Sequence, residues 1–180
     1  MGIGVKILVG IVALIIAVLV AAAFGKDEYT VEKTVIINKP SQEVFNYIKL
    51  LKNQTHYSKW VMMDPNAKMD FTGTDGTVGF VSAWDSDNKQ VGKGSQTITK
   101  IDDGKRMDLD IHFIKPFNGH STAFMSTEAT GANQTKVTWG FNGKLDYPMK
   151  VVHLVMNMEK MIGSDLQTGL DNLKGVMEKQ

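Results

Sequence analysis

The chain opens on one long apolar run and then breaks into short alternating stretches. Ile7 to Phe24 carry no charge over 18 residues, about 27 Å of helix at about 1.5 Å per residue, which nearly spans a bilayer core. Two expectations stand for this run. It is an uncleaved anchor, or a signal peptide with Ala21, Ala22 and Ala23 as the small-residue cleavage pattern, although such segments usually hold only about 7 to 15 apolar residues. Either way the pattern divides the chain into residues 1–26, a transmembrane anchor or signal peptide, and residues 27–180, one folded domain.

Beyond Lys26 the first stretch, YTVEKTVIIN, alternates so that Val31, Lys33, Val35 and Ile37 share a face, the period of a half-buried strand. Pro40 ends it. Ser41 as N-cap and Glu43 in the first turn predict a helix of about ten residues, carrying Val44, Tyr47, Ile48 and Leu51 at helical spacing. From about Lys68 to Asn142, turn signals (TDGT, DSDNK, IDDGKR, TGANQT) separate SQTITKI, RMDLDIHFI, STAFMSTEA and TKVTWGF, a meander of antiparallel strands. Met107, Leu109, Ile111 and Phe113 share one face, as do Val137, Trp139 and Phe141.

Pro148 suits the first turn of a final helix running to Gln180, roughly 30 residues or about 45 Å. Its stripe is Val151, Val155, Met158, Ile162, Leu166, Gly169, Leu173 and Val176. Around the first half, Met149, Met156 and Met161 leave too much apolar surface for one stripe. Core filling, a pliable ligand wall and membrane contact are the three explanations open for them. The order of elements predicts an α+β domain, a curved antiparallel sheet wrapped around a long C-terminal helix and preceded by the N-terminal transmembrane helix. A sheet curved around a helix tends to enclose space.

Composition removes several function classes. Lys plus Arg number 20 against Asp plus Glu 19, for a net charge of +1, so no field of one sign points to nucleic acid. With no cysteine there is no disulfide, thiolate metal site or cysteine nucleophile. Lys6 on one side of the apolar run and Lys26, followed by Asp27 and Glu28, on the other favour an inward amino terminus, with the domain on the extracytoplasmic side.

Candidate chemistry is sparse. Asp108, Asp110 and His112 share a strand face, but alternate residues stand about 7 Å apart and parallel, so one ion does not take all three. A solvated sheet face is expected there. The four histidines, His56, His112, His120 and His153, show no zinc or hydrolase spacing. His120 and Ser121 are strand neighbours that point to opposite faces. The glycines of GTDGTVGF lie between strands, so they read as turn residues rather than a phosphate cradle. No catalytic residue, metal or cofactor is expected. The aromatic set is Phe45, Trp60, Phe80, Trp84, Phe113, Phe124, Trp139 and Phe141. Most of it is expected to be core, with some rings lining an apolar pocket.

The segment NKPSQEVFNYIKLLKNQTHYSKW, with Pro40, Val44, Phe45, Tyr47, Tyr57 and Trp60 in place, resembles the SRPBCC superfamily of START and Bet v 1-like helix-grip domains. GTDGTVGF, GKGSQTI, FIKPF and MIGSDLQTGLDNLK resemble its membrane-anchored bacterial branch, often labelled polyketide cyclase. Tyr57 and the stretch VMMDPNAK depart from the common pattern, at what the resemblance implies is the cavity mouth. The resemblance implies a helix-grip fold and a cavity between sheet and helix, lined by the aromatic set with Val155, Met158 and Ile162. The expected function is membrane-tethered binding of an apolar small molecule: a lipid, an isoprenoid or an aromatic, polyketide-like compound. A cyclase-like enzyme and a protein-binding module are the alternatives. The expected partners are that ligand and, through the N-terminal helix, a membrane, with no nucleic acid and any protein partner undefined.

Overall fold

The computed structural model describes residues 2–24, 28–116, 118–145, 150–151 and 157–179. Helix α1 (Ile3–Ala23) precedes β1 (Glu28–Ile37), α2 (Ser41–Ile48), a 3-10 turn (Leu51–His56) and the short α3 (Lys59–Met62). The sheet continues through β2 (Lys68–Thr72), β3 (Val81–Asp85), β4 (Lys93–Asp102), β5 (Arg106–Lys115), β6 (Gly119–Gly131) and β7 (Gln134–Lys144), and α4 (Met158–Met177) follows. Seven antiparallel strands run in the order β1-β7-β6-β5-β4-β3-β2. The meander that the turn signals imply is therefore complete, and β1 closes it by pairing with β7.

Alternation decides which side of this sheet is dry. Val31, Lys33 and Val35 of β1 register with Phe141, Trp139 and Val137 of β7, which register with Ala123, Met125 and Thr127 of β6. Directly opposed residues share a face, so one inner face runs across the sheet. Helix α4 lies over β1 and β7 and touches α3 and the 3-10 turn, while α2 packs on β6 and β7. The other, outer face carries Asp108, Asp110, His112 and Arg106, in agreement with the solvated face expected for the acidic pair and histidine.

The two ends of the inner face differ. At the end where β1 finishes, Ile37, Ile98, Met107, Met125 and Val137 are sealed beneath Val44, Phe45 and Ile48 of α2 and Leu170 and Leu173 of α4. At the end where β1 begins, the inner residues of β2 to β6 (Met69, Trp84, Gln96, Ile111, Phe113 and Ser121) stay only half-buried, because α4 passes over β1 and β7 instead.

Two local expectations need correction. The cap of α2 is Pro40, without a side-chain hydrogen bond, and Ser41 is the first helical residue. Nor is the terminal helix continuous from Pro148. Asn157 stands outside helical geometry (φ −76°, ψ 80°) and its side chain accepts a hydrogen bond from the Lys160 N–H, so a new helix starts there. Val155, Met149 and Met156 lie outside the described residues. The glycines of GTDGTVGF behave as the turn spacing implies: Gly73, Gly76 and Gly79 all have positive φ.

Phe124 is the clearest departure on the outer face. It pairs with Gly140 and Asp108 in the sheet, and the Arg106 guanidinium lies 3.8 Å from its ring centroid. Arg106 also holds Asp108 at 2.7 Å. Phe124 is buried by these neighbours and does not face α4. A Cβ at Gly140 would lie 2.1 Å from the Phe124 ring. Gly140→Val is therefore expected to push the ring out from under Arg106 and destabilise the domain by about 1–3 kcal/mol in urea denaturation.

Candidate functional site

The half-buried inner-face residues at the open end are the candidate site. Its floor is Trp84, Gln96, Ile111, Phe113 and Ser121, which alternate along β3 to β6 with outward neighbours and register side by side: Gln96 with Ile111, Ile111 with Ser121, Gly94 with both Trp84 and Phe113. Trp84 meets Phe113 edge to face at 6.3 Å, and its indole N–H donates to the Val91 carbonyl at 3.2 Å.

The wall comes from α3 and α4. Trp60 stands edge-on to Trp139, 6.0 Å between centroids, and Tyr57 does the same from another side at 5.8 Å. Lys59 of α3 pairs with Asp165 of α4, and the Asn172 amide donates to the Tyr57 carbonyl at 3.2 Å. Met158 and Ile162 continue the Asp165–Gly169–Asn172 stripe at helical spacing, so they stand on the α3 side of α4, half-buried against the core. Trp139 and Phe141 form the base. Trp139 fits because α4 carries Gly169 over it; a Cβ there would come within 2.8 Å of the indole.

Of the eleven expected lining residues, seven are placed here: Trp60, Trp84, Phe113, Trp139, Phe141, Met158 and Ile162; Val155 lies outside the described residues. The other three are elsewhere. Phe45 and Phe80 expose 0% and 1% of their surface; a side chain lining a void that admits water would show accessible surface, so these two are packed core. Phe124 is on the outer face. Tyr57 is fully buried at the centre rather than at the cavity mouth.

Sequence reasoning missed the polar groups. Gln54 of the 3-10 turn is buried and exchanges two amide hydrogen bonds with Gln96, at 2.7 and 3.4 Å. Ser82, opposite Gln96 in the sheet, is 1% exposed, and no hydrogen bond of its hydroxyl is found among the described residues. Each sits in phase with an apolar inner residue, Gln96 with Ile98 and Ser82 with Trp84, and that phase was the available signal. Among the described residues no histidine or carboxylate stands on the inner face of the sheet. Lys33 is its one charge, and its stem passes beneath Gly163 of α4.

The tyrosines stay protonated. Burial, with the Glu159 charge second, pushes Tyr29 up to about 12, and burial pushes Tyr57 up further. Both folded values exceed the unfolded value of about 10, so the folded state holds protons that the unfolded chain releases. Their stabilisation is complete below pH of about 10 and is lost as pH rises through the folded values. The urea midpoint is expected to fall between pH 10 and 12, and Tyr57→Phe to reduce that fall. The Tyr57 hydroxyl has only the Met125 sulfur at 3.6 Å, so this variant loses little at neutral pH.

On the outer face, His112 and His120 stack with centroids 4.3 Å apart and planes 3° apart, and His120 Nδ1 lies 3.8 Å from Asp110. Among the described residues no group of three ligand-type side chains converges on a metal position.

The architecture is shared by solved proteins of low identity. Norcoclaurine synthase from Thalictrum flavum, in complex with dopamine and hydroxybenzaldehyde, aligns with a TM-score of 0.60 at 10% identity, over 85% of this chain and 88% of its own. The Aha1 dimer from Colwellia psychrerythraea gives 0.57 at 14% identity over 83% and 96%. Ara h 8.0201 gives 0.56 at 14% identity over 85% and 99%. At these identities the likeness is one of fold, the Bet v 1-like helix grip. No curated protein matches the chain. Residues 28–178 match the family described as polyketide cyclase / dehydrase and lipid transport, and with that match covering the whole domain, the chain belongs to this family, within the SRPBCC superfamily.

Proposed function

We propose that the protein is a membrane-tethered binding protein for an apolar small molecule held in a cleft between the open end of the sheet and α4. The observation that carries this is the half-burial of Ile111, Phe113, Trp84, Trp60, Met158 and Ile162: apolar side chains drawn from four elements, β3, β5, α3 and α4, are left incompletely covered. A ligand that completes their burial gains about 25 cal/mol per Å² of apolar surface. Gln96 and Gln54 supply neutral hydrogen-bonding groups at the floor, which orient a ligand without demanding charge.

The family description, which joins polyketide cyclisation to lipid transport, supports a lipid, isoprenoid or polyketide-like compound. Among the described residues the sheet's inner face offers the Gln96 amide, hydroxyls that include Tyr29, and one lysine, Lys33, as polar groups that could orient such a ligand. Helix α1 is long and apolar enough to cross a membrane, with a mean hydropathy of 3.0 over Ile3–Val20, and supports tethering; the Lys6 and Lys26 pattern favours an extracytoplasmic domain.

Titration of the detergent-solubilised protein with an apolar polyene dye, read by energy transfer from Trp60 and Trp84, tests this. Saturable transfer at one dye per chain is expected. Transfer that rises linearly without saturation would show partitioning into the micelle instead and remove the binding site.

A further inference from the structure

The open end of the cleft is also the end of the domain tied to α1. Strand β1 begins there, at Glu28, and α1 ends at Ala23, so the connection spans at most about 18 Å at about 3.6 Å per residue. The closed end lies a strand length further on, roughly 30 Å for ten residues. Anchoring α1 in a bilayer therefore holds the open end close to the membrane surface.

Exposed lysines stand at this end as well. At the closed end each lysine named here has a carboxylate: Lys39 with Glu43, Lys49 with Asp103, Lys105 with Asp102, Lys174 with Glu178. At the open end Lys68, Lys93 and Lys115 gather around Asp85, with Asp64 against Ser86 and Asp87 in the adjoining turns. Lys93 bonds Asp85 at 2.6 Å, and this bond, with the added fields of Lys115 and Lys68, holds the Asp85 carboxyl below its usual range. Lys144 sits opposite Glu28 where β7 ends. Lys68, Lys115 and Lys144 are exposed and have no ion-pair partner among the described residues. Beside Lys115, Ile114 is exposed as well.

We infer that the open end docks on an anionic bilayer surface, its lysines among the headgroups, so that the ligand passes between bilayer and cleft without crossing bulk water. This rests on the apolar-ligand function proposed above and adds its source: the ligand is a component of the membrane in which α1 is anchored. Juxtamembrane lysines are attracted to anionic leaflets, each by about fivefold in the docked population.

The chain has no cysteine, so single labels report cleanly. The full chain carrying Ile114→Cys at the open end, or Thr130→Cys roughly 40 Å away along β6, is labelled with a fluorophore and reconstituted in vesicles bearing a headgroup quencher. Strong quenching of the label at position 114 and weak quenching at 130 are expected with phosphatidylglycerol present. Lys68→Gln and Lys115→Gln together are expected to lower the docked population about 25-fold, fivefold for each. Equal quenching at both positions, quenching at 130 alone, or none at either overturns the docking. In parallel, uptake of a bilayer-borne polyene is measured in the same vesicles and in detergent. Uptake in detergent but not from docked vesicles overturns the membrane as source while leaving the binding function intact. No uptake in either medium overturns that function and this inference with it.

Discussion

Ile111→Glu abolishes uptake of an apolar probe while the domain stays folded. Ile111 stands on the inner face between Gln96 and Ser121 and is only half-buried, so in the free protein a glutamate there keeps its access to water. A ligand covering the floor would have to strip that water away. Burying about 200 Å² of apolar surface yields about 5 kcal/mol, and an unpaired buried carboxylate costs several kcal/mol, enough to cancel the gain and lower affinity by more than about a hundredfold. Ile111→Val, which removes one methylene, is the control and should weaken uptake by only a few fold. Circular dichroism and the urea midpoint verify folding. Glutamate at position 111 with wild-type uptake would put the ligand elsewhere.

Trp139→Ala is expected to cost about 3–5 kcal/mol of stability, out of the roughly 5–15 kcal/mol typical of a domain. The indole is buried at 4% exposure and touches three separately folded pieces: Tyr57 and Trp60 at 5.8 and 6.0 Å, and Gly169 of α4. Removing it opens a void where sheet, α3 and α4 meet. Rigid neighbours on three sides leave little room for collapse, which places the cost in the upper part of the large-to-small range. Urea denaturation measures it. A loss under about 1 kcal/mol would mean that α4 is not seated on this ring.

These two positions also show where the sequence was legible. Alternation in RMDLDIHFI and TKVTWGF puts Ile111 and Trp139 on inner faces, and the structure agrees. It cannot say which inner residue is capped by a helix, because that depends on where α4 crosses the sheet, a long-range outcome. Phe45 and Phe80 were therefore grouped with Trp84 and Phe113, although the first two are sealed and the second two open. Phe124 fails for a different cause. Its phase in STAFMSTEA points outward, opposite to Ala123 and Met125, and its bulk suggested core; its cover comes from Arg106 and from the space above Gly140, both on other strands.

The helix break at Asn157 was locally legible, an asparagine two residues before Glu159, the composition of a helix start. The apolar run before it masked the signal. Met161, in the first turn after the break, remains 44% exposed on α4, and Met62 on α3 48%. Both lie beside the wall of the cleft, where a flexible thioether suits ligands of varied shape.

The central claim, an apolar ligand held in this cleft, is tested most directly by native mass spectrometry of the full chain extracted in mild detergent from cells, followed by organic extraction of what it releases. The expected result is a mass excess of one small apolar molecule per chain, absent from Ile111→Glu prepared the same way. A wild-type chain that carries no excess mass and releases nothing, or an excess equally present in Ile111→Glu, would contradict it.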